Sequence, residues 1–98
     1  MNRRRRLHVD GVVQGVGFRP FVFNLAESLN LDGWVSNTSD GVFVEIEGPG
    51  ADLDAFADRL RSDAPPLARI VSVDSAPLPP LGEPGFSIRI SEDTPGTT

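Results

Sequence analysis

The amino-acid sequence predicts an α+β fold in which two helices cover one face of an antiparallel β-sheet. The prediction depends on two periodicities. Several short segments alternate apolar and polar side chains, as half-buried strands do, and two longer segments repeat their apolar side chains at helical spacing. Because each helix has only one apolar face, both helices are expected to pack on the same side of the sheet.

The first half of the chain is predicted to form a strand, a helix and a hairpin. Leu7 and Val9 lie on the apolar face of the strand, and Phe21, Leu25 and Leu29 form the apolar ridge of the helix. The predicted bounds are residues 5–13 for the first strand, 20–30 for the helix, 34–36 and 42–47 for the strands of the hairpin, and 37–41 for its turn.

The second half is predicted to add a helix and two strands. The predicted bounds are residues 51–62 for the helix, 69–74 for a strand, 75–85 for a proline-rich connection and 86–90 for a short final strand. The resulting order is that of a ferredoxin-like α/β sandwich, βαββαβ with a short extra strand. Residues 1–90 are expected to form one domain, and residues 91–98 a polar tail or the start of a linker.

The composition excludes several classes of function. The chain has no cysteine and one histidine, so a disulfide, a thiol nucleophile and a histidine-rich metal site are all excluded. No metal and no cofactor are expected. A net charge of −5 argues against general binding of nucleic acid. No apolar segment is long enough to span a membrane and no signal-peptide pattern is seen, so a cytoplasmic location is expected.

A run of four arginines, Arg3 to Arg6, leads into the first strand. Such a run can bind phosphate backbones, but the acidic remainder of the chain favours a solvated lead-in to the strand. His8 is interpreted as an ordinary residue on the open face of the sheet and not as a catalytic base. Asp40 and Glu45 are interpreted as turn and open-face residues and not as metal ligands.

The most distinctive segment is the glycine-rich loop after the first strand, Gln14-Gly15-Val16-Gly17-Phe18-Arg19. Glycines let backbone N–H groups converge on a small anion, and the N-terminus of the following helix adds positive dipole character. The guanidinium of Arg19 beside such a loop would bind phosphate oxygens through paired hydrogen bonds. The alternatives are a plain glycine turn and an arginine whose stem covers an apolar patch.

Asn37 is the second candidate because it lies at the end of the second strand. In the predicted topology the ends of the first two strands can lie at the same end of the sheet, which would place this carboxamide near the loop. A carboxamide accepts and donates hydrogen bonds, so it can orient an attacking water without acting as a base. The alternative is ordinary hairpin chemistry.

Both segments resemble the acylphosphatase family. The family signature is similar to Gly11-Val12-Val13-Gln14-Gly15-Val16-Gly17-Phe18-Arg19, and the second motif is similar to Gly33-Trp34-Val35-Ser36-Asn37-Thr38-Ser39-Asp40-Gly41-Val42. The resemblance covers residues 5–90 and implies hydrolysis of acyl phosphates by in-line attack of water on phosphorus. It implies that the backbone of Gln14–Phe18 and the side chain of Arg19 bind phosphate, and that Asn37 positions the water.

Shorter segments are similar to one branch of this family. Phe18-Arg19-Pro20-Phe21-Val22 and Pro65-Pro66-Leu67-Ala68-Arg69-Ile70 resemble the N-terminal acylphosphatase-like domain of the hydrogenase-maturation carbamoyltransferase HypF. This resemblance implies that carbamoyl phosphate is the substrate and that the product serves the maturation of a nickel–iron centre. It also implies that the partners are downstream carbamoyl-transfer domains of the same polypeptide.

Two other functions are compatible with parts of the sequence. A non-catalytic phosphate-binding or docking domain of the same multidomain enzyme would bind phosphate through Arg19 without any rate that depends on Asn37. RNA-recognition domains share this order of strands and helices, and they display stacking aromatics on the open sheet face. Here that face carries Phe43 beside Glu45 and Glu47, which would repel a phosphate backbone.

Overall fold

A computed structural model describes residues 2–89 of the chain. The elements are β1 (Asn2–Val12), α1 (Phe18–Ser28), β2 (Asp32–Thr38), β3 (Gly41–Pro49), α2 (Gly50–Ser62), β4 (Arg69–Leu78) and β5 (Phe86–Arg89). This order confirms the predicted ferredoxin-like α/β sandwich with a short extra strand. The last residue of the predicted final strand, Ile90, and the predicted tail over residues 91–98 lie outside the described residues.

The five strands form one sheet in the order β4-β1-β3-β2-β5. β1 pairs antiparallel with β3 and β4, and β2 pairs antiparallel with β3, as predicted. β5 instead pairs parallel with β2, so the sheet is mixed and not wholly antiparallel. The reason is the path of residues 79–85, which cross from the β4 edge to the opposite edge before the chain reverses direction.

The core lies between the helices and one face of the sheet. Val42, Val44 and Ile46 of β3 point into it and are fully buried, which confirms the predicted alternation. The fully or almost fully buried side chains of the helices are Phe18, Val22, Leu25 and Ala26 from α1 and Leu53, Phe56 and Leu60 from α2. Phe21 and Leu29 of the predicted α1 ridge are only partly buried. The buried stripe is offset because Phe18, two residues before the predicted start, packs the first turn into the core.

The hairpin between β2 and β3 is tighter than predicted. Asn37 and Thr38 continue β2 and pair with Val42 and Gly41, so only Ser39 and Asp40 form the turn. Gly41 adopts a φ of +122°, and a Cβ there would lie 2.5 Å from the carbonyl oxygen of Val9. The absence of a side chain at this glycine therefore lets β3 begin close to β1.

β4 is longer than predicted, because its last four residues form the beginning of the proline-rich segment. Pro77 lies opposite Arg5 of β1. β4 is an edge strand with one unpaired side, and proline is tolerated in such strands because its missing N–H can face away from the ladder.

The arginine run belongs to β1; Arg3 and Arg6 are exposed as predicted, but Arg4 is not solvated. Arg4 is 4% exposed and lies on the open face, the sheet face that the helices leave uncovered. Its guanidinium binds Glu45 and Glu47. Residues 79–85 cross this end of the open face, and the backbone N–H groups of Leu81 and Gly82 donate to Glu47. The segment that crosses these side chains therefore buries the ion pair of Arg4 and Glu47. The alternation of side chains along β1 does not predict this burial.

Candidate active site

The two segments singled out in the sequence meet at one end of the sheet. β1 and β2 are both antiparallel to β3, which lies between them, so β1 and β2 run in the same direction and end on the same side. The loop after β1 therefore lies at the level of the last residues of β2. A direct contact joins them, since Nε2 of Gln14 donates to the carbonyl oxygen of Thr38 at 2.7 Å.

The loop has the backbone conformation of an anion-binding site. Gly15 and Gly17 have φ values of +74° and +78°, in the left-handed region, and no heavy atom lies within 4 Å of a Cβ built at either residue. Among the described residues, the backbone N–H groups of residues 14–17 donate no hydrogen bond. Successive unpaired N–H groups in such a conformation form a concavity that binds anions.

Helix α1 begins directly at this loop. Gly17 is its N-cap, and its first turn contains no acidic residue. The side chain of Phe18 is 1% exposed, and its ring packs against that of Phe21 with 5.7 Å between centroids. The positive end of the α1 dipole therefore points at the loop, and a buried aromatic anchor holds it there. Of the predicted phosphate-binding segment, Phe18 offers its backbone and not its side chain.

Arg19 lies in the first turn of α1, beside the loop. Its Nη1 makes a long hydrogen bond of 3.4 Å to the carbonyl oxygen of Arg89 at the end of β5. It forms no ion pair within residues 2–89, whereas Arg4, Arg5 and Arg59 do. The Arg19 guanidinium is thus oriented by a neutral carbonyl, and its charge is not neutralised by a carboxylate in this part of the chain.

Asn37 lies on the helix-covered side of the same sheet end. It pairs directly with Val42, which in turn pairs with Val9, and residues directly opposite each other across strands point to the same face. Its Oδ1 is buried and accepts no hydrogen bond from the described residues. A buried amide oxygen without a donor is uncommon in proteins, so this atom is an acceptor suited to a water or a ligand.

His8, Glu45 and Glu47 lie on the open face of the sheet, whereas Asn37 lies on the helix-covered side. The His8 ring stacks on Phe43 with 4.5 Å between centroids, and its Nε2 is 2.6 Å from the carbonyl oxygen of Asp40. This placement agrees with its interpretation as an open-face residue.

The backbone N–H of Leu81 lowers the pKa of the Glu47 carboxyl, and Gly82 and Arg4 contribute in the same direction against the effect of burial.

Two further observations concern the described residues as a whole. Within residues 2–89 no group of histidine and acidic side chains is arranged to hold a metal ion. No helix in this range is long and apolar enough to cross a membrane. The groups described at the site are backbone N–H groups, the guanidinium of Arg19 and the carboxamides of Gln14 and Asn37.

Comparison with known proteins identifies the family. The acylphosphatase family model matches residues 5–88. The chain is 52% identical over 86 residues to the carbamoyltransferase HypF of Rhizobium leguminosarum bv. viciae, covering 88% of this chain and 11% of that protein. It is 44% identical over 89 residues to the acylphosphatase of Moorella thermoacetica, covering 90% of this chain and 95% of that one.

Structural comparison agrees with the sequence comparison. A crystal structure of full-length HypF in its phosphate- and nucleotide-bound form superposes with a TM-score of 0.90 and 37% identity, covering 95% of this chain and 12% of that one. The chain belongs to the acylphosphatase family. Within that family it is homologous to the N-terminal domain of HypF, and it spans about a tenth of the length of the curated carbamoyltransferases it matches.

Proposed function

We propose that this domain hydrolyses acyl phosphates by in-line attack of water on phosphorus. One observation carries the proposal: the sheet topology brings three groups that can bind a ligand to one sheet end. These groups are the N–H groups of residues 14–17, which donate no hydrogen bond within residues 2–89, the guanidinium of Arg19 and the buried Oδ1 of Asn37. Membership of the acylphosphatase family supports the same reaction class.

Each group has a distinct role in the proposed reaction. The loop N–H groups and the α1 dipole bind the phosphate oxygens, and Arg19 stabilises the charge that develops on them in the transition state. Asn37 Oδ1 accepts a hydrogen bond from the attacking water and holds it in line with the bond that breaks. The water oxygen bonds to phosphorus, and the acyl group leaves as a carboxylate with the electron pair of the broken P–O bond. The protons of the water end on the phosphate and the solvent.

This division of roles needs no covalent intermediate. Phosphoryl transfer depends mainly on positioning and on stabilisation of charge, and a carboxylate is a good leaving group. A general acid is therefore unnecessary for the leaving oxygen, which is consistent with the position of His8 on the open face, on the opposite side of the sheet from Asn37.

We further propose carbamoyl phosphate as the natural substrate, with carbamate and inorganic phosphate as products. The similarity to HypF carbamoyltransferases supports this substrate over other acyl phosphates. On the same basis, residues 1–90 would act as one domain of a larger carbamoyltransferase, with residues 91–98 leading to carbamoyl-transfer domains that use the product in nickel–iron hydrogenase maturation.

Steady-state hydrolysis of carbamoyl phosphate and benzoyl phosphate tests the proposal. The wild-type chain is compared with Arg19→Ala and Asn37→Ala, and circular dichroism confirms that each variant is folded. We expect a loss of at least roughly 100-fold in kcat/KM for both variants. Arg61→Ala is the matched control because Arg61 is exposed and forms no ion pair within the described residues.

The same experiment separates hydrolysis from docking. A docking domain would bind inorganic phosphate with an affinity that depends on Arg19, and the wild-type chain would release no phosphate from either substrate. Turnover in the wild type that is equal in folded Asn37→Ala would contradict the assigned role of Asn37. Turnover lost in both variants and retained in Arg61→Ala supports a single hydrolytic site.

A further inference from the structure

The side chain of Gln14 makes the contact that joins the two halves of the candidate site. Gln14 is exposed, yet its carboxamide nitrogen donates to the carbonyl oxygen of Thr38 at 2.7 Å. Thr38 directly follows Asn37 in β2, whereas Gln14 belongs to the anion-binding loop. In the proposed reaction, Gln14 takes part only through its backbone N–H group, and its side chain has no role.

The contact crosses a gap that the sheet itself does not close. β1 and β2 are separated by β3, so the loop and the end of β2 are two strand spacings apart, about 10 Å. At this end of β3 stands Gly41, which pairs with Thr38. Besides the Gln14 contact, the described hydrogen bonds connect the loop to Asn37 through the ladder of β3 and, by a longer route, through the bond from Arg19 to Arg89 of β5, which pairs with β2.

Thr38 is itself held firmly. Its hydroxyl donates to the carbonyl oxygen of Gly41 at 3.2 Å and accepts from the backbone N–H of Asp40 at 3.1 Å. The acceptor that Gln14 binds therefore belongs to the last residue of β2, which the hydrogen bonds of its hydroxyl hold against the turn. Because this acceptor is fixed, the hydrogen bond from Gln14 also fixes the loop relative to the end of β2.

The hydrogen bond from Gln14 is expected to affect the alignment of the reactants more than the stability of the fold. An exposed neutral hydrogen bond contributes little net free energy to folding, and fixing the long glutamine side chain costs rotamer entropy that offsets much of it. Loss of this bond is therefore expected to leave the fold intact. In-line attack, by contrast, is sensitive to displacements of about 1 Å between the bound phosphorus and the water.

We propose that Gln14 is a positioning residue, whose carboxamide fixes the anion-binding loop relative to Asn37 and thereby aligns phosphorus with the attacking water. The inference rests on the proposed function for its catalytic consequence. Its geometric part concerns only the relation between the loop and Asn37, and is testable without turnover.

Two variants remove the contact in different ways. Gln14→Met keeps the length of the side chain and removes the donor, whereas Gln14→Asn keeps the carboxamide and shortens its reach. For both we expect kcat on carbamoyl phosphate to fall roughly 10- to 100-fold. The dissociation constant of inorganic phosphate should stay within about twofold, because phosphate is bound by backbone N–H groups and Arg19. Asn24→Leu is the control, since Asn24 is an exposed carboxamide on α1 outside the proposed site.

Either of two kinetic results would overturn the inference. An unchanged kcat in folded Gln14→Met would show that the contact does not align the reactants. A fall in kcat that is matched by an equal loss of affinity for inorganic phosphate would show that the side chain merely keeps the loop folded.

A measurement without turnover distinguishes failure of this inference from failure of the proposed function. In the wild-type chain, titration with inorganic phosphate is expected to shift the NMR signals of the Asn37 side-chain amide together with those of the loop. In Gln14→Met the loop signals should still shift while the Asn37 signals stay in place. Equal responses of Asn37 in both proteins, or none in the wild type, would overturn the inference, whereas an inactive wild type would refute only the hydrolytic function.

Discussion

Arg4 and Glu47 form an ion pair on the open face of the sheet, with 3.0 Å between Nη1 and Oε1 and side chains that are 3% and 2% exposed. Glu47 also accepts the backbone N–H groups of Leu81 and Gly82. The pair therefore fastens residues 79–85 across the sheet and fixes the path to β5. The last described residue of β5, Arg89, supplies the carbonyl that Arg19 contacts, so this network extends to the candidate site.

Removal of the cation from this pair should destabilise the fold. Arg4→Met leaves the carboxylates of Glu45 and Glu47 close together without their shared counter-ion, and one of them is buried. We expect a loss of about 3 kcal/mol in the free energy of unfolding, measured by urea denaturation. Arg61→Met, at an exposed position on α2, should change it by less than about 0.5 kcal/mol. Equal effects of the two variants would contradict the importance of the pair.

The pH dependence of stability should report Glu47. Its pKa is lowered in the folded protein, chiefly by the N–H of Leu81, so its contribution is present above the ordinary glutamate pKa and is lost as pH falls through the folded value. The stability difference between wild type and Glu47→Gln should therefore shrink between about pH 5 and pH 3. Glu83→Gln, at an exposed position, is the control. A difference that is independent of pH would refute this account.

Asn37 should be a site where stability and function conflict. Its buried Oδ1 lacks a donor among the described residues, and such a group costs about 1–3 kcal/mol. Replacement by leucine, which has a similar shape, should raise the free energy of unfolding by about 1 kcal/mol while hydrolysis is lost. Thermal and urea denaturation measure the change in unfolding free energy of Asn37→Leu, with Asn24→Leu as the control. A strong destabilisation confined to Asn37→Leu would show that the carboxamide is structural.

Gly41 and Gly82 offer a matched comparison of two glycines with positive φ. A Cβ at Gly82 meets nothing within 4 Å, whereas a Cβ at Gly41 would lie 2.5 Å from the carbonyl oxygen of Val9. Gly82→Ala should therefore cost about 1 kcal/mol from backbone strain alone. Gly41→Ala should cost about 3 kcal/mol or more, because β1 and β3 must also separate. If urea denaturation gave similar losses of unfolding free energy for Gly41→Ala and Gly82→Ala, the contact with the Val9 carbonyl would be relieved without cost.

The fold was predictable because its elements are locally encoded. The alternation through Val42, Val44 and Ile46 defines β3, and the stripe of Leu53, Phe56 and Leu60 defines α2. Each pattern reports which face is buried, and the order of elements then restricts the topology to one familiar arrangement. The meeting of the two sequence motifs at one sheet end followed from that topology.

Features that depend on distant segments were not predictable. The burial of Arg4 requires residues 79–85 to pass over it, which no local pattern near Arg4 indicates. The parallel pairing of β5 depends on that same crossing. The bond from Gln14 to Thr38 joins residues 24 positions apart through one rotamer, and neither residue carries a sequence signal for the other.

The insertion of β3 between β1 and β2 has a consequence for folding kinetics. Because β3 separates the anion-binding loop from Asn37, we expect the two to come together only after β3 has paired with both neighbours, so that the site forms late in folding. A ligand bound there stabilises the native state by mass action, by about 2.7 kcal/mol at a concentration 100 times its dissociation constant. Since interactions absent from the folding transition state act on the unfolding rate, bound phosphate should prolong the lifetime of the native state and leave the refolding rate unchanged.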